Sequence, residues 1–178
     1  MHSIYFARHG QTFWNVEGKI CGVTDIPLTE EGLRQAKRLG ETVKNGNYPI
    51  DRILCSPLCR AADTARCVAE ITGLPLSADE RLREQCFGRF EGTARHGEEF
   101  MAAKQNMADR YSGGESMLQL THRVYSLLDE LREQNDTVLL VAHNGIARAV
   151  HSYFYDMTNE EFAAFGIKNC AVVRYDFT

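Results

Sequence analysis

The sequence predicts an α/β fold, a three-layer α/β/α sandwich with a mainly parallel sheet covered by helices on both faces. Three observations lead there. Short apolar runs of strand length alternate along the chain with amphipathic stretches of helical period. Two of those runs, Ile4-Tyr5-Phe6-Ala7 and Val138-Leu139-Leu140-Val141-Ala142, are apolar throughout, as strands buried on both faces are. Each runs into a histidine with glycine close behind, Arg8-His9-Gly10 and His143-Asn144-Gly145. In an open α/β sheet the carboxyl ends of strands border the ligand crevice.

The elements follow in order. After the first strand comes a polar loop, residues 10 to 28. Thr29 reads as an N-cap, with Glu30 and Glu31 in the first turn favouring the helix dipole. Leu33, Ala36, Leu39 and Val43 follow at helical spacing. Ile53-Leu54-Cys55 is a second strand. Ser56-Pro57 opens the next helix, serine capping and proline at the first helical position, and Gly73 ends it after Thr72. Leu74-Pro75-Leu76 is a short strand or an extended link. Residues 93 to 112 carry Phe100, Met101, Met107 and Tyr111 among polar residues; they form a helical flap over a site or a plain surface helix. Residues 113 to 134 are an amphipathic helix with Met117, Leu120, Val124, Leu127 and Leu131 as its stripe. A strand at 137 to 142, a helix from 145 to 154 and a last strand from Cys170 to Tyr175 complete the chain. The direction of that last strand is not readable from sequence.

No repeat, low-complexity tract or linker interrupts the 178 residues, so a single domain over 1–178 is expected. Hydrophobic residues at 44% and charged residues at 25% are ordinary for a globular protein. A net charge of −4 argues against nucleic acid as a partner and confines any phosphate chemistry to a local cationic cluster. No apolar stretch approaches the roughly 18 residues a bilayer span requires, so no membrane partner is expected. Arg8 follows the first apolar run, the reverse of a signal peptide's order, which points to the cytoplasm. Cys21, Cys55, Cys59, Cys67, Cys86 and Cys170 lack Cys-x-x-Cys spacing and are expected to be buried, reduced thiols.

The chemistry starts at the first strand end. His9 there is held with a ring nitrogen towards the crevice, and a neutral imidazole is a competent nucleophile towards phosphorus. Arg8 brings a planar fork of donors suited to phosphate oxygens. Arg60, four residues after Ser56, lies near the same sheet edge, where a helix N-terminus adds partial positive charge. With His143 these groups make a pocket for a phosphoryl group and its transition-state charge.

Arg8-His9-Gly10-Gln11-Thr12 with Asn15 resembles the signature of the histidine phosphatase superfamily, the phosphoglycerate mutase-like proteins. Further blocks match in order: Gly22, Asp25, Pro27-Leu28-Thr29, Gly32 and Gln35-Ala36; then Ser56-Pro57-Leu58, Arg60-Ala61 and Thr64-Ala65. Leu82, Glu84, Phe87-Gly88 and Glu91-Gly92 follow, then Gly113-Gly114-Glu115-Ser116 and Ala142-His143. The resemblance implies a phosphoglycerate mutase-like fold and a set of roles. His9 becomes phosphorylated; Arg8, Asn15, Arg60 and His143 bind the phosphoryl oxygens; Glu84 gives and takes protons. Cys21 and Gly22 touch substrate through the backbone. Asn144 stands where the family often has glycine, and its tolerance of left-handed angles leaves a backbone N–H free to face phosphate.

The implied activity is metal-independent hydrolysis of a small phosphorylated metabolite through phospho-His9, with no cofactor. The alternatives are a phosphoglycerate mutase and an inactive phospho-ligand binding module. The mutase branch is generally longer, and here only the stretch between Gly92 and Gly113 covers the site; both His9 and Glu84 are in place, which argues against the inactive module. Among the other histidines, His2 and His122 are expected at the surface and His151 in packing. His96 with Glu99 imitates half a metal site without a third ligand, so no metal is expected. Phe13 and Trp14 are expected to wall the site or fill core beside it. Oligomeric state is not readable.

Overall fold

The computed structural model describes residues 2–177. Five strands form one sheet: β1 (Ser3–Arg8), β2 (Arg52–Cys55), β3 (Leu76–Ala78), β4 (Val138–Ala142) and β5 (Val172–Asp176), in the order β3-β2-β4-β1-β5. The first four are parallel; β5 pairs antiparallel with β1 at one edge. Seven helices accompany them: α1 (Phe13–Val16), α2 (Glu30–Asn45), α3 (Cys59–Thr72), α4 (Glu98–Ala103), α5 (Met117–Arg132), α6 (Asn144–Phe154) and α7 (Asn159–Ala164). Short 3₁₀ turns at Glu80–Leu82 and Gly88–Phe90 lie between β3 and α4.

Strand residues point alternately to the two faces, and the core divides accordingly. Ile4, Phe6, Leu54, Val138, Leu140 and Ala142 pack with the α5 and α6 stripes on one side. Tyr5, Ala7, Ile53, Cys55, Leu139 and Val141 pack with Leu39 and Val43 of α2 and Ala65 and Val68 of α3 on the other. The chain leaves β1 for the α2 side and leaves β4 for the α6 side, so the carboxyl ends of these neighbouring strands open into a crevice.

The predicted three-layer α/β/α architecture is thus observed, and several element boundaries differ. The loop at 10 to 28 contains α1, one turn closed by a capping box between Thr12 and Asn15. Thr29 caps α2 as expected, but Leu33 is 42% exposed; Gly32, Ala36, Leu39, Gly40 and Val43 form the buried face. Ser56 does not cap α3, which begins at Cys59 without a side-chain cap. Gly73 ends it in the left-handed region. Strand β3 starts at Leu76, not Leu74, and α5 starts at Met117 after a Gly113-Gly114 turn, with Ser116 and Gln119 forming its capping box. The final strand begins at Val172 because Cys170 adopts a positive φ of 57°. Helix α7 carries no long apolar stripe and was not anticipated. All six cysteines are unpaired, but only Cys55 is buried; the other five are half-buried. No helix among the described residues is long and apolar enough to cross a membrane.

Candidate active site

The ends of the three central strands are tied together. The N–H of His9 donates to the Ala142 carbonyl at 3.0 Å, and the Ser56 N–H donates to the Val141 carbonyl at 3.0 Å. His9, Ser56 and His143 therefore leave the sheet side by side. The His9 and His143 rings lie 5.1 Å apart between centroids, both buried. His9 Nδ1 stands 2.7 Å from its neighbour Gly10's carbonyl oxygen. A carbonyl only accepts, so Nδ1 carries the proton and Nε2 keeps its lone pair. Burial, with Arg60 and Arg8 nearby, holds the His9 pKa well below 6.5, so the ring is neutral. The same causes depress His143, burial foremost. His143 Nε2 meets Ser56 Oγ at 2.8 Å, so Ser56, not needed as a cap, orients this ring.

Arg60 is fully buried at the start of α3. Its terminal nitrogens donate to the Gly22 carbonyl at 2.6 Å and the Thr24 carbonyl at 3.0 Å. Arg8, at the end of β1, donates to the Ile167 carbonyl at 3.0 Å. Burial, followed by the charge of Arg95, lowers its pKa to about 10, still protonated at neutrality. Arg8 Nε, Arg60 Nε and His143 Nδ1 are buried polar atoms with no partner among the described residues. Orphaned buried polar atoms are uncommon, and three in one place mark a site.

Glu84 faces this cluster from the loop after β3. Both carboxylate oxygens accept backbone N–H groups, Oε1 from Gln85 at 2.9 Å and Oε2 from Gly145 at 3.0 Å. A side chain at 145 would collide, since a Cβ there falls 2.2 Å from Glu84 Oε1. Arg123 secures the loop beneath, donating to the Arg81 carbonyl at 2.5 Å and pairing with Glu115 at 2.8 Å. Glu91 accepts from the N–H groups of Val23, Thr24 and Phe87, tying the loop after β1 to the acid-bearing loop.

Of the expected site residues, Arg8, His9, Asn15, Cys21, Glu84 and Asn144 line one cavity of about 320 Å³. Arg60 and His143 are buried beside His9 and do not line it. Gly22 departs from expectation: it is off the cavity wall, packed so that a Cβ would fall 2.2 Å from the Gln85 carbonyl oxygen. Asn144 departs too. It is the first residue of α6 with no positive φ, and its Oδ1 accepts from the Ile167 N–H at 2.9 Å. Phe13 and Trp14 do not line the cavity; Phe13 is 52% exposed and Trp14 packs against Gly92. His2 is half-buried, with Nε2 bonded to the Leu131 carbonyl at 2.9 Å, while His122 is exposed and His151 stacks on Phe165. His96 lines the cavity, and Glu99 pairs instead with Arg89 at 2.5 Å. No group of three potential metal ligands occurs among the described residues.

Sequence reasoning missed Arg95, Lys104, Arg148 and Asn169. Arg95, Lys104 and Arg148 line the cavity with Phe100 and Met101 of α4. Asn169 donates to the His9 carbonyl at 2.7 Å. Arg148 had a signal, standing one helical turn after Asn144 on the same face; the others had none.

Comparison with known proteins gives the family. The histidine phosphatase superfamily (branch 1) matches residues 4–178, and the chain belongs to that family. A probable phosphoglycerate mutase GpmB from Yersinia pestis (strain Pestoides F) is 33% identical over 99% of this chain and 86% of its own length. A mycobacterial glucosyl-3-phosphoglycerate phosphatase structure superposes with a TM-score of 0.84 at 28% identity, over 97% of this chain and 89% of that one. A phosphoserine phosphatase from Entamoeba histolytica, solved with 3-phosphoglyceric acid, gives a TM-score of 0.84 at 27% identity, over 99% and 91%.

Proposed function

We propose that this member of the histidine phosphatase superfamily is a single-domain, metal-independent phosphomonoesterase that hydrolyses a small phosphorylated metabolite through a phosphohistidine on His9. The observation that carries the reading is the His9 ring itself: neutral, fixed by the Gly10 carbonyl, with Nε2 unprotonated beside Arg8, Arg60 and His143. In the first step Nε2 attacks phosphorus and the ester P–O bond breaks. Glu84 protonates the departing alkoxide, so the alcohol leaves neutral. In the second step water attacks the phosphohistidine, Glu84 takes its proton, the P–N bond breaks, and inorganic phosphate and neutral His9 are regenerated. The guanidinium groups and Asn15 stabilise the charge on the phosphoryl oxygens throughout. Asn144 offers its backbone N–H at the start of α6 to the phosphoryl group while its side chain holds Ile167, and Asn169 steadies the His9 carbonyl. Six unpaired thiols fit a reducing compartment, and we place the protein in the cytoplasm.

Phosphoglycerate mutase is the second reading, favoured by the likeness to GpmB. A mutase must shield its phosphoenzyme from water, and the cover between Gly92 and Gly113 is small: α4 has six residues, with His96 and Met101 exposed. Hydrolysis is therefore the better supported outcome. The test is phosphate release from a panel of small phosphomonoesters in the presence of a chelator, alongside isomer exchange on 3-phosphoglycerate. Phosphate release that disappears in His9→Ala is expected. Isomer exchange faster than phosphate release would favour the mutase, and turnover undiminished in His9→Ala would defeat both readings.

A further inference from the structure

His9 keeps a lone pair on Nε2 only while Nδ1 holds the ring hydrogen, and the Gly10 carbonyl oxygen 2.7 Å from Nδ1 decides that. A neutral imidazole otherwise carries its proton on either nitrogen. The deciding carbonyl belongs to the Gly10–Gln11 peptide, and glycine leaves the plane of that peptide free to turn. Glycine is nonetheless required at 10, because a Cβ there would collide with the Gly32 carbonyl oxygen on α2. The contact is mutual: a Cβ at 32 would collide with the Gln11 carbonyl oxygen. Helix α2 thus lays its first turn directly on the backbone that follows His9. Its residues take hold of Gln11 at three atoms. The Thr29 N–H donates to the Gln11 carbonyl at 2.9 Å, and the Thr29 hydroxyl donates to Gln11 Oε1 at 2.9 Å. Gln35, one turn beyond Gly32 on the same face, accepts the Gln11 N–H at 2.8 Å through Oε1. Of the three bonds, only the last engages the peptide unit that carries the Gly10 oxygen. The preceding His9–Gly10 peptide is held separately: Thr64 Oγ accepts the Gly10 N–H at 3.0 Å, and Asn169 donates to the His9 carbonyl at 2.7 Å. Gln35 Oε1, the Gln11 N–H, the Gly10 carbonyl and the His9 Nδ1–H therefore form one hydrogen-bonded chain through a single amide. An acceptor at the nitrogen end of an amide fixes its plane and polarises its oxygen. Gln35 itself is half-buried and does not line the cavity.

We propose that Gln35 is a positioning residue for the nucleophile: by accepting the Gln11 N–H it keeps the Gly10 carbonyl on His9 Nδ1, and so keeps the reactive lone pair on Nε2. The consequence for catalysis rests on the phosphomonoesterase reading, whereas the tautomer itself is measurable without any substrate. The assignment also gives Gly32 and Gln35 a common purpose, the one admitting the backbone of residues 10 and 11 and the other clamping it.

Nitrogen NMR of the His9 ring, its signals identified by their loss in His9→Ala, is the test. In the unaltered protein Nδ1 is expected to carry the proton and Nε2 to be bare. Gln35→Met keeps the length of the side chain and removes the carboxamide. It is expected to move part of the population to the Nε2–H form. Phosphoenzyme formation in a single turnover then slows about tenfold, the scale of one hydrogen bond, while affinity for inorganic phosphate stays within about twofold. Gln35→Glu keeps an oxygen at the same place and restores both the tautomer and the rate. Should Gln35→Met fail to fold, Gln35→Asn, one methylene too short to reach Gln11, replaces it. An unchanged tautomer in the variant overturns the proposal whether or not the rate falls, because the loss would then come from packing alone. A Gln35→Glu loss as large as that of Gln35→Met overturns it as well. If the unaltered protein hydrolyses no phosphomonoester, the phosphomonoesterase reading fails on its own, and the tautomers of the unaltered and variant proteins still decide the role of Gln35.

Discussion

The two ends of the cavity are built on different physical terms. The inner end stands on the sheet: His9, Arg60 and His143 are buried, sit at strand ends or the start of α3, and are fixed by short contacts to Gly10, Gly22, Thr24 and Ser56. The cover end consists of the six-residue helices α4 and α7, joined across the cavity by the Lys104 to Ala163 bond, over a small aromatic cluster of Phe87, Phe90, Phe100 and Tyr111. Chemistry that needs a fixed geometry belongs on the rigid element, and selection among substrates belongs where the chain can vary without disturbing the core.

The contrast can be broken at its strong end first. Arg60→Met is expected to lower kcat/KM about 10³-fold and to cost about 3 kcal/mol of stability, since it strips the partner from one buried and one half-buried carbonyl. Phosphate release and urea unfolding measure the two losses; a variant that keeps its activity would remove Arg60 from the phosphoryl site. The buried histidines give the next largest effect. Both have folded pKa values below 6.5, so below that pH the unfolded chain binds protons that the folded chain refuses. Stability is full above about pH 6.5 and falls as the pH drops through the window between 6.5 and the lower folded values, with a limiting slope of about 1.4 kcal/mol per unit for each histidine. Urea unfolding in phosphate-free buffer at pH 7 and pH 5 reads this. A slope unchanged in the His9→Gln, His143→Gln double variant would show that these rings are not its source.

Glu84→Gln is expected to lower kcat about 10²-fold for alkyl phosphates and much less for an aryl phosphate, whose leaving group needs little protonation. Equal losses on both would assign Glu84 to positioning. The smallest effect belongs at the cover. Met101 is 41% exposed, and Met101→Ala is expected to change stability by under about 0.5 kcal/mol and KM a few-fold, leaving kcat in place. A kcat loss as large as that of Glu84→Gln would mean that the two ends are not separable.

The same contrast explains what could be read from the chain. Strand-end histidines, apolar runs and the Met117 to Leu131 stripe follow fixed periods, so the sheet, α5 and the inner site were legible. Ser56 looked like a helix cap because serine before proline usually is one; here its hydroxyl is claimed by His143, a residue 87 positions away that no local pattern announces. Gly22 was assigned to the substrate, and it serves Arg60 through its carbonyl. Arg95 and Lys104 lie in the segment read as a flap or a surface helix, and their placement follows from how the short helix α4 settles on Phe90 and Tyr111. Long-range partners, not local preferences, decided each of these.

The central claim is a covalent bond between phosphorus and Nε2 of one histidine. Rapid acid-free quenching during turnover of a ³²P-labelled phosphomonoester, followed by peptide mapping, tests it most directly. The expected result is an acid-labile, base-stable label on the peptide carrying His9, absent from His9→Ala. Label on any other residue, or steady turnover with no label captured at any quench time, would contradict it.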